Sequence, residues 1–196
     1  MMTIDENIFL WINGLAGRLP ALDWFLKGIA NDYLIIVGSC LVLLALWVWG
    51  SDVYQRDKNQ KAVIGASIGL GLAQGFVSTL NAFYYRPRPF IELPPPQTNL
   101  LFYQPSDSSF PSNSVAIVFA IAFAIFLANR KVGGFLLVLA CLHAFSRVYV
   151  GVHYPFDVIV GAAGGILIAL LVTRVIKALE KWINLVMGLA RKLYLA

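Results

Sequence analysis

Residues Asp32–Gly50, DYLIIVGSCLVLLALWVWG, begin with one acid and then run eighteen positions without a charge. A helix crosses the hydrocarbon core of a bilayer in about 20 apolar residues, so this stretch reads as a membrane span. Four more follow: Lys61–Tyr84, Ser112–Ala128, Val132–Tyr149 and Phe156–Ile176. Composition agrees, with 59% hydrophobic and 13% charged residues in a chain of 196, and a mean hydropathy of +0.75. Soluble domains carry about 45–50% apolar and about 25% charged residues. A soluble enzyme, a disordered tail and a disulfide scaffold are thereby excluded. Cys40 and Cys141 lie inside apolar runs, where a structural disulfide is not expected. The fold class is all-α, a polytopic membrane helix bundle forming a single domain over residues 1–196.

Outward from these spans the signals weaken. Ile8–Ile29 is interrupted by Gly14, Gly17, Arg18, Pro20 and Asp23, leaving two short amphipathic pieces. Residues 1–30 read as interfacial helices, with a sixth, broken span as the competing reading. Residues 177–196 read as an interfacial tail. The opening MMTIDENIFLW has acids where a cleavable signal would carry basic residues, so none is expected.

The net charge is +5, which in a soluble protein would suggest nucleic acid; here the placement of cations is what matters, and the expected environment is the bilayer. Arg56, Lys58, Lys61, Arg130, Lys131, Arg174, Lys177, Lys181, Arg191 and Lys192 fall on one side of the predicted spans, ten of the fifteen cations. That side is cytoplasmic by the positive-inside rule, which leaves the N-terminus outside and the C-terminus inside a cell membrane.

Arg86, Arg88 and Arg147 stand against this trend, at the outer span ends. Cations at membrane depth need a reason: a functional site, or snorkelling to headgroups. The outer loop Tyr85–Pro111 is long, proline-rich and without a helical pattern, the kind of loop that usually carries function. Its Leu100–Tyr103 cluster could either dip into the interface or pack onto helix ends.

Three outer stretches carry the chemistry: Arg86-Pro87-Arg88-Pro89-Phe90, Pro111-Ser112-Asn113-Ser114, and Ser146-Arg147 with His153 and Asp157. Pro111 and Pro155 suit first turns of helices, whose N-termini would face one pocket and favour a phosphate. Arg88 and Arg147 offer bidentate forks, and Ser112 a hydroxyl. His153 is the natural nucleophile, with Asp157 four residues on to orient its imidazole. His143, mid-span in LACLHAF, reads as a packed or hydrogen-bonded helix residue.

The pattern S-R-x5-H-x3-D at Ser146, Arg147, His153 and Asp157 resembles the third signature of the type-2 phosphatidic acid phosphatase superfamily. Arg88-Pro89 matches the end of that family's first signature, K-x6-R-P, and Pro111-Ser112 the start of its second, P-S-G-H. The resemblance spans roughly residues 60–175. It implies that His153 attacks phosphorus to give a phosphohistidine that water hydrolyses, without metal or other cofactor. It further implies catalytic roles for His153, Asp157 and Arg147, and phosphate binding by Arg88, Ser112 and Ser146; Arg86 and Asn113, beside these motif positions, are further phosphate-binding candidates.

Two positions depart from the family. Asn81 stands where the first-signature lysine falls, and Ser114 where the second signature has its general-acid histidine. A positioned acid contributes about 10²–10⁴-fold, most where the leaving group is a poor alkoxide. A phosphate leaving group, with a second pKa of about 6, can depart as an anion. Arg86 could supply the charge of the missing lysine. The expected substrate is therefore a membrane lipid diphosphate of polyprenyl type. A lipid-linked phosphotransferase and a degenerate member that binds or transports a phospholipid without hydrolysis are the alternatives.

Overall fold

The computed structural model describes residues 2–192, all helix and connecting loop among them, with nine helices. These are α1 (Ile4–Asn13), α2 (Pro20–Ile29), α3 (Asp32–Val48), α4 (Val53–Phe83), α5 (Pro89–Glu92), α6 (Asn113–Ala128), α7 (Arg130–Tyr149), α8 (Pro155–Ala178) and α9 (Glu180–Lys192). Short polar side chains set where they begin. Asn31 accepts from the N–H groups of Tyr33 and Leu34, Asp52 from that of Gln55, and Asn129 from that of Val132.

The hub is α6, whose residues from Val115 to Ala122 are all buried against α4, α7 and α8. Close packing there depends on small residues. A Cβ on Gly165 would lie 2.3 Å from the Ala116 carbonyl oxygen, and one on Gly161 2.7 Å from that of Ser112. Side chains would force the helices apart, so glycine lets the backbones of α6 and α8 touch.

α4, α7 and α8 are each long and apolar enough to cross a bilayer. α2 and α3 together also suffice, as a pair bent by 54°. α6 is apolar but has 16 residues, and α3 alone has 17. The expected spans all recur as helices, with one boundary moved. α4 starts at Val53 rather than Lys61, because Asp52 caps it and Asn59 and Gln60 donate to the Trp49 and Trp47 carbonyls. Arg56, Lys58 and Lys61 thus ride on helix instead of loop.

The loop from Tyr85 to Pro111 is tied down at several points. Asn13, fully buried, donates to the carbonyls of Asn99 and Tyr149 at 2.8 Å and accepts from the Asn99 N–H. Leu100, Leu101 and Phe102 pack on Tyr149, Val150 and Val152, so this cluster covers helix ends. Within the loop expected to be non-helical, Pro89–Glu92 makes one short helix. Pro155 opens α8 as expected, whereas Pro111 lies one residue ahead of the α6 N-cap, Ser112, and is not in the first turn. The cysteines are unpaired.

Candidate active site

His153 sits in the link between α7 and α8, 2% exposed. Its Nδ1 lies 2.8 Å from the Ser109 carbonyl oxygen, which can only accept. Nδ1 therefore carries the proton and Nε2 presents a lone pair. Around Nε2 stand two guanidinium groups, Arg88 Nη1 at 3.3 Å and Arg147 Nη2 at 3.5 Å. Burial, then the charges of Arg88 and Arg147, push the imidazole pKa down to about 4, against the opposing pull of Asp157. The ring is neutral at physiological pH, with its nucleophilic nitrogen between two cations.

Both arginines are anchored from behind. Arg88 donates through Nε to the Asp107 carbonyl at 3.0 Å, through Nη1 to that of Val152 at 2.9 Å, and through Nη2 to the Asp107 carboxylate at 2.8 Å. Arg147 donates through Nη1 to the Ala30 carbonyl at 2.9 Å and to Asp32 at 2.8 Å. The Phe102 ring lies 5.3 Å from its guanidinium, and its Nε is buried without a partner. Asp32 also accepts from the Tyr103 hydroxyl, whose pKa burial and that carboxylate push up to about 12.

Asp157 is fully buried at the start of α8. Its Oδ2 accepts from the Tyr154 N–H at 2.8 Å and from the Ser109 hydroxyl, and stands 3.8 Å from His153 Nδ1. That separation is too long for a hydrogen bond. The expected orienting role is thus divided: the Ser109 carbonyl holds the tautomer, and Asp157 supplies nearby negative charge.

Arg86 is turned away from Nε2. It bonds Asp157 Oδ1 at 2.6 Å and Asp5 at 2.7 Å, and lies over the Tyr154 ring at 4.1 Å. Burial opposes its charge, but the two carboxylates prevail and hold its pKa above the usual range. The α8 N-terminus is likewise occupied, by Asp157 on Tyr154 and by Asp5 on Phe156 N–H. Of the two helix ends expected to face a phosphate, only α6 lacks a side-chain cap.

At that end Ser112 is buried with its hydroxyl unpartnered. Asn113 donates to Gln74 of α4 at 2.7 Å, its Oδ1 unpartnered. Ser146 donates to the carbonyl of His143 at 2.7 Å, inside its own helix. Asn81 lies on α4 with a buried, unpartnered Oδ1. Ser114 lies 3.0 Å from Nε2 of His143, so that histidine is hydrogen-bonded within the bundle as expected.

A cavity of about 360 Å³ brings together His153, Arg88, Arg147, Asn113 and Ser114, whereas Ser112, Ser146 and Asn81 do not line it. Its polar wall is Arg88, Arg147, His153, Ser114 and Asp107, and its apolar side Tyr33, Ile36 and Val37 of α3 with Ile117 of α6. Arg86 and Asp157 are not among its lining residues. Among the described residues no cluster of three or more His, Cys, Asp or Glu could hold a metal ion. Ser109, Asp32 and Asp5 were not singled out from sequence, and nothing local in SDSSF, AND or IDEN distinguishes them.

The family model described as the PAP2 superfamily matches residues 62–181. Undecaprenyl-diphosphatase BcrC of Bacillus subtilis is 32% identical over 183 residues, 93% of this chain and 90% of that protein. The bacitracin transport permease protein BcrC of Bacillus licheniformis is 40% identical over 169 residues, 86% of this chain and 79% of that protein. Among solved structures, LpxE of Aquifex aeolicus aligns with a TM-score of 0.72 at 28% identity, covering 88% of this chain and 96% of that one.

Proposed function

The chain belongs to the PAP2 superfamily, and on that premise we propose that it is a membrane lipid phosphatase hydrolysing a polyprenyl diphosphate. The observation that carries the reading is the His153 imidazole, held as the Nδ1–H tautomer with Nε2 aimed between Arg88 and Arg147. A terminal phosphoryl group seated on those arginines lies in reach of Nε2. Attack forms a P–N bond and breaks the P–O bond to the lipid monophosphate, which leaves with the bonding pair. Water then cleaves the phosphohistidine. Arg88 and Arg147 stabilise the charge spread over the transferring oxygens.

Substrate class follows from the leaving group. With Ser114 in place of an acidic imidazole, the site is suited to a leaving group that departs as an anion. The name of the Bacillus subtilis relative supports the same class. The isoprenoid tail runs along Tyr33, Ile36, Val37 and Ile117, on the lipid side of the cavity. The site faces the extracytoplasmic side, because the ten sorted cations gather at the opposite helix ends. Of the described residues, 2–30 lie along the outer interface and 177–192 along the inner one; residues 1 and 193–196 lie outside the described residues.

The test is phosphate release from detergent-solubilised undecaprenyl diphosphate and from phosphatidic acid, with a His153→Ala control. The diphosphate should turn over at least tenfold faster, and the control should be inactive. Equal rates on both lipids, or an active control, refute the proposal.

A further inference from the structure

The second histidine of this chain lies behind the position where the family's own second histidine is missing. Ser114 is 6% exposed on the wall of the cavity that holds His153, and its hydroxyl oxygen is 3.0 Å from Nε2 of His143. His143 is fully buried, and its Nδ1 lies 2.8 Å from the Ile29 carbonyl oxygen. A carbonyl can only accept, so Nδ1 bears the proton and Nε2 accepts the Ser114 hydroxyl hydrogen. The result is a hydroxyl on the cavity wall backed by an imidazole of fixed tautomer, itself backed by a backbone acceptor. This is the order of groups that activates a serine hydroxyl in hydrolases.

We propose that Ser114 and His143 form a two-residue proton relay that activates the water hydrolysing the phosphohistidine, in place of a single histidine at position 114. The inference rests on the phosphohistidine route above. As water attacks the phosphorus of phospho-His153, a P–O bond forms and the P–Nε2 bond breaks, its electron pair returning to the ring. The water proton passes to Ser114 Oγ, and the hydroxyl proton of Ser114 passes to Nε2 of His143. His143 is then an imidazolium, with both ring N–H groups donating, to Ile29 and to Ser114. The proton returns through Ser114 to the departing phosphate, which restores both groups.

The same geometry separates the two half-reactions. A diphosphate bond needs no proton donor to break, so the first step does not require the relay, whereas water is a poor nucleophile without a base. Loss of the relay should therefore strand the enzyme as phosphohistidine. A purely structural role for His143 would depress both steps together.

The experiment is a rapid-mixing assay on undecaprenyl diphosphate, following lipid monophosphate and inorganic phosphate separately. Its arms are the parent, S114A, S114T, H143A, S114A/H143A and S114H/H143A. Parent turnover and loss of activity in H153A establish the underlying reading; their failure refutes the proposed function itself, before the relay is at issue. With those in hand, S114A and H143A should release one equivalent of lipid monophosphate per protein in a burst. Phosphate should follow about 10²-fold or more slowly, within the range for positioned acid–base groups. The double variant should be no slower than the singles, because groups acting as one unit are not additive. S114T keeps the hydroxyl and should stay within tenfold of the parent. S114H/H143A, which moves the imidazole into the vacated space, should recover at least tenfold over H143A. Phosphate release within threefold of the parent in S114A, multiplied effects in the double variant, or a burst lost in proportion to turnover would each overturn the relay.

Discussion

Asp157→Asn separates charge from orientation in the candidate site. In the related arrangement of nucleophile, base and orienting acid, the acid bonds the imidazole directly and fixes its tautomer. Here the carboxylate is 3.8 Å from Nδ1 of His153, and the Ser109 carbonyl at 2.8 Å holds that proton. The substitution should therefore leave the tautomer in place and remove mainly a charge. When Nε2 becomes phosphorylated the ring turns cationic. At an effective dielectric constant near 20, unit charges at this separation attract by about 4 kcal/mol, close to 10³ in rate as an upper value. Formation of radiolabelled phosphohistidine in a single turnover should fall by about 10²–10³ in D157N. Ser109→Ala keeps the backbone carbonyl and loses only the hydroxyl bond to Asp157, so it should cost less than about tenfold, one ordinary hydrogen bond. Stability should move as well, because Arg86 loses its 2.6 Å partner and keeps only Asp5. Breaking such a pair costs about 3 kcal/mol or more, a fall in Tm of roughly 6–12 °C in a chain of this size. A D157N enzyme within fivefold of the parent, or an S109A enzyme as impaired as D157N, refutes the division of roles.

Other expectations follow from single observations. His153 is nucleophilic only when neutral and its pKa lies at about 4, so its ring NMR shifts in the substrate-free protein should hold constant from pH 8 to about pH 5, and a transition near 6.5 would contradict the burial argument. The sign for stability is the same: the unfolded chain binds this proton first, so stability falls as pH drops from about 6.5 toward 4. Gly165→Ala sets a Cβ 2.3 Å from the Ala116 carbonyl oxygen and should lower stability by about 1–3 kcal/mol, with Gly134→Ala, which meets nothing within 4 Å, as the control in the same thermal assay. Single cysteines at exposed positions 97 and 58, in a background lacking Cys40 and Cys141, should react with an impermeant maleimide from outside and inside the cell respectively; labelling of both from one side contradicts the topology.

The spans were legible because bilayer thickness imposes one length scale on every apolar run. The motif residues were legible because their types are costly at membrane depth without a function. What escaped was long-range and local in equal measure. Asp5 and Asp32 reach Arg86 and Arg147 across 81 and 115 residues, and no periodicity marks such pairs. Ser109 acts largely through its backbone carbonyl, which any residue possesses. The sequence offers Arg86 as the charge that replaces the missing lysine. Its guanidinium instead closes on Asp157 and Asp5, and nothing in the local sequence marks that pairing. The α8 N-terminus, expected to face a phosphate, is capped instead: Asp157 accepts from the Tyr154 N–H and Asp5 from the Phe156 N–H.

The distribution of carboxylates gives the site its working range. Arg86 is closed off by Asp5 and Asp157 on the far side of His153, so its charge braces the acid that faces the imidazole and does not compete for substrate. Arg88 and Arg147 each have one carboxylate on one edge and leave another edge toward Nε2. Each fork is thereby rigid before a phosphate arrives, so little ordering remains to be done at the moment of reaction. The same carboxylates keep the empty cavity from being a strongly positive well. On the proposed reaction that favours turnover, because both products would carry phosphate and would otherwise be held as tightly as the substrate. Asp107 is the most exposed of these partners, its side chain 61% accessible against 24% for Asp32 and 0% for Asp157, so the Arg88 pair is the one most weakened by solvent.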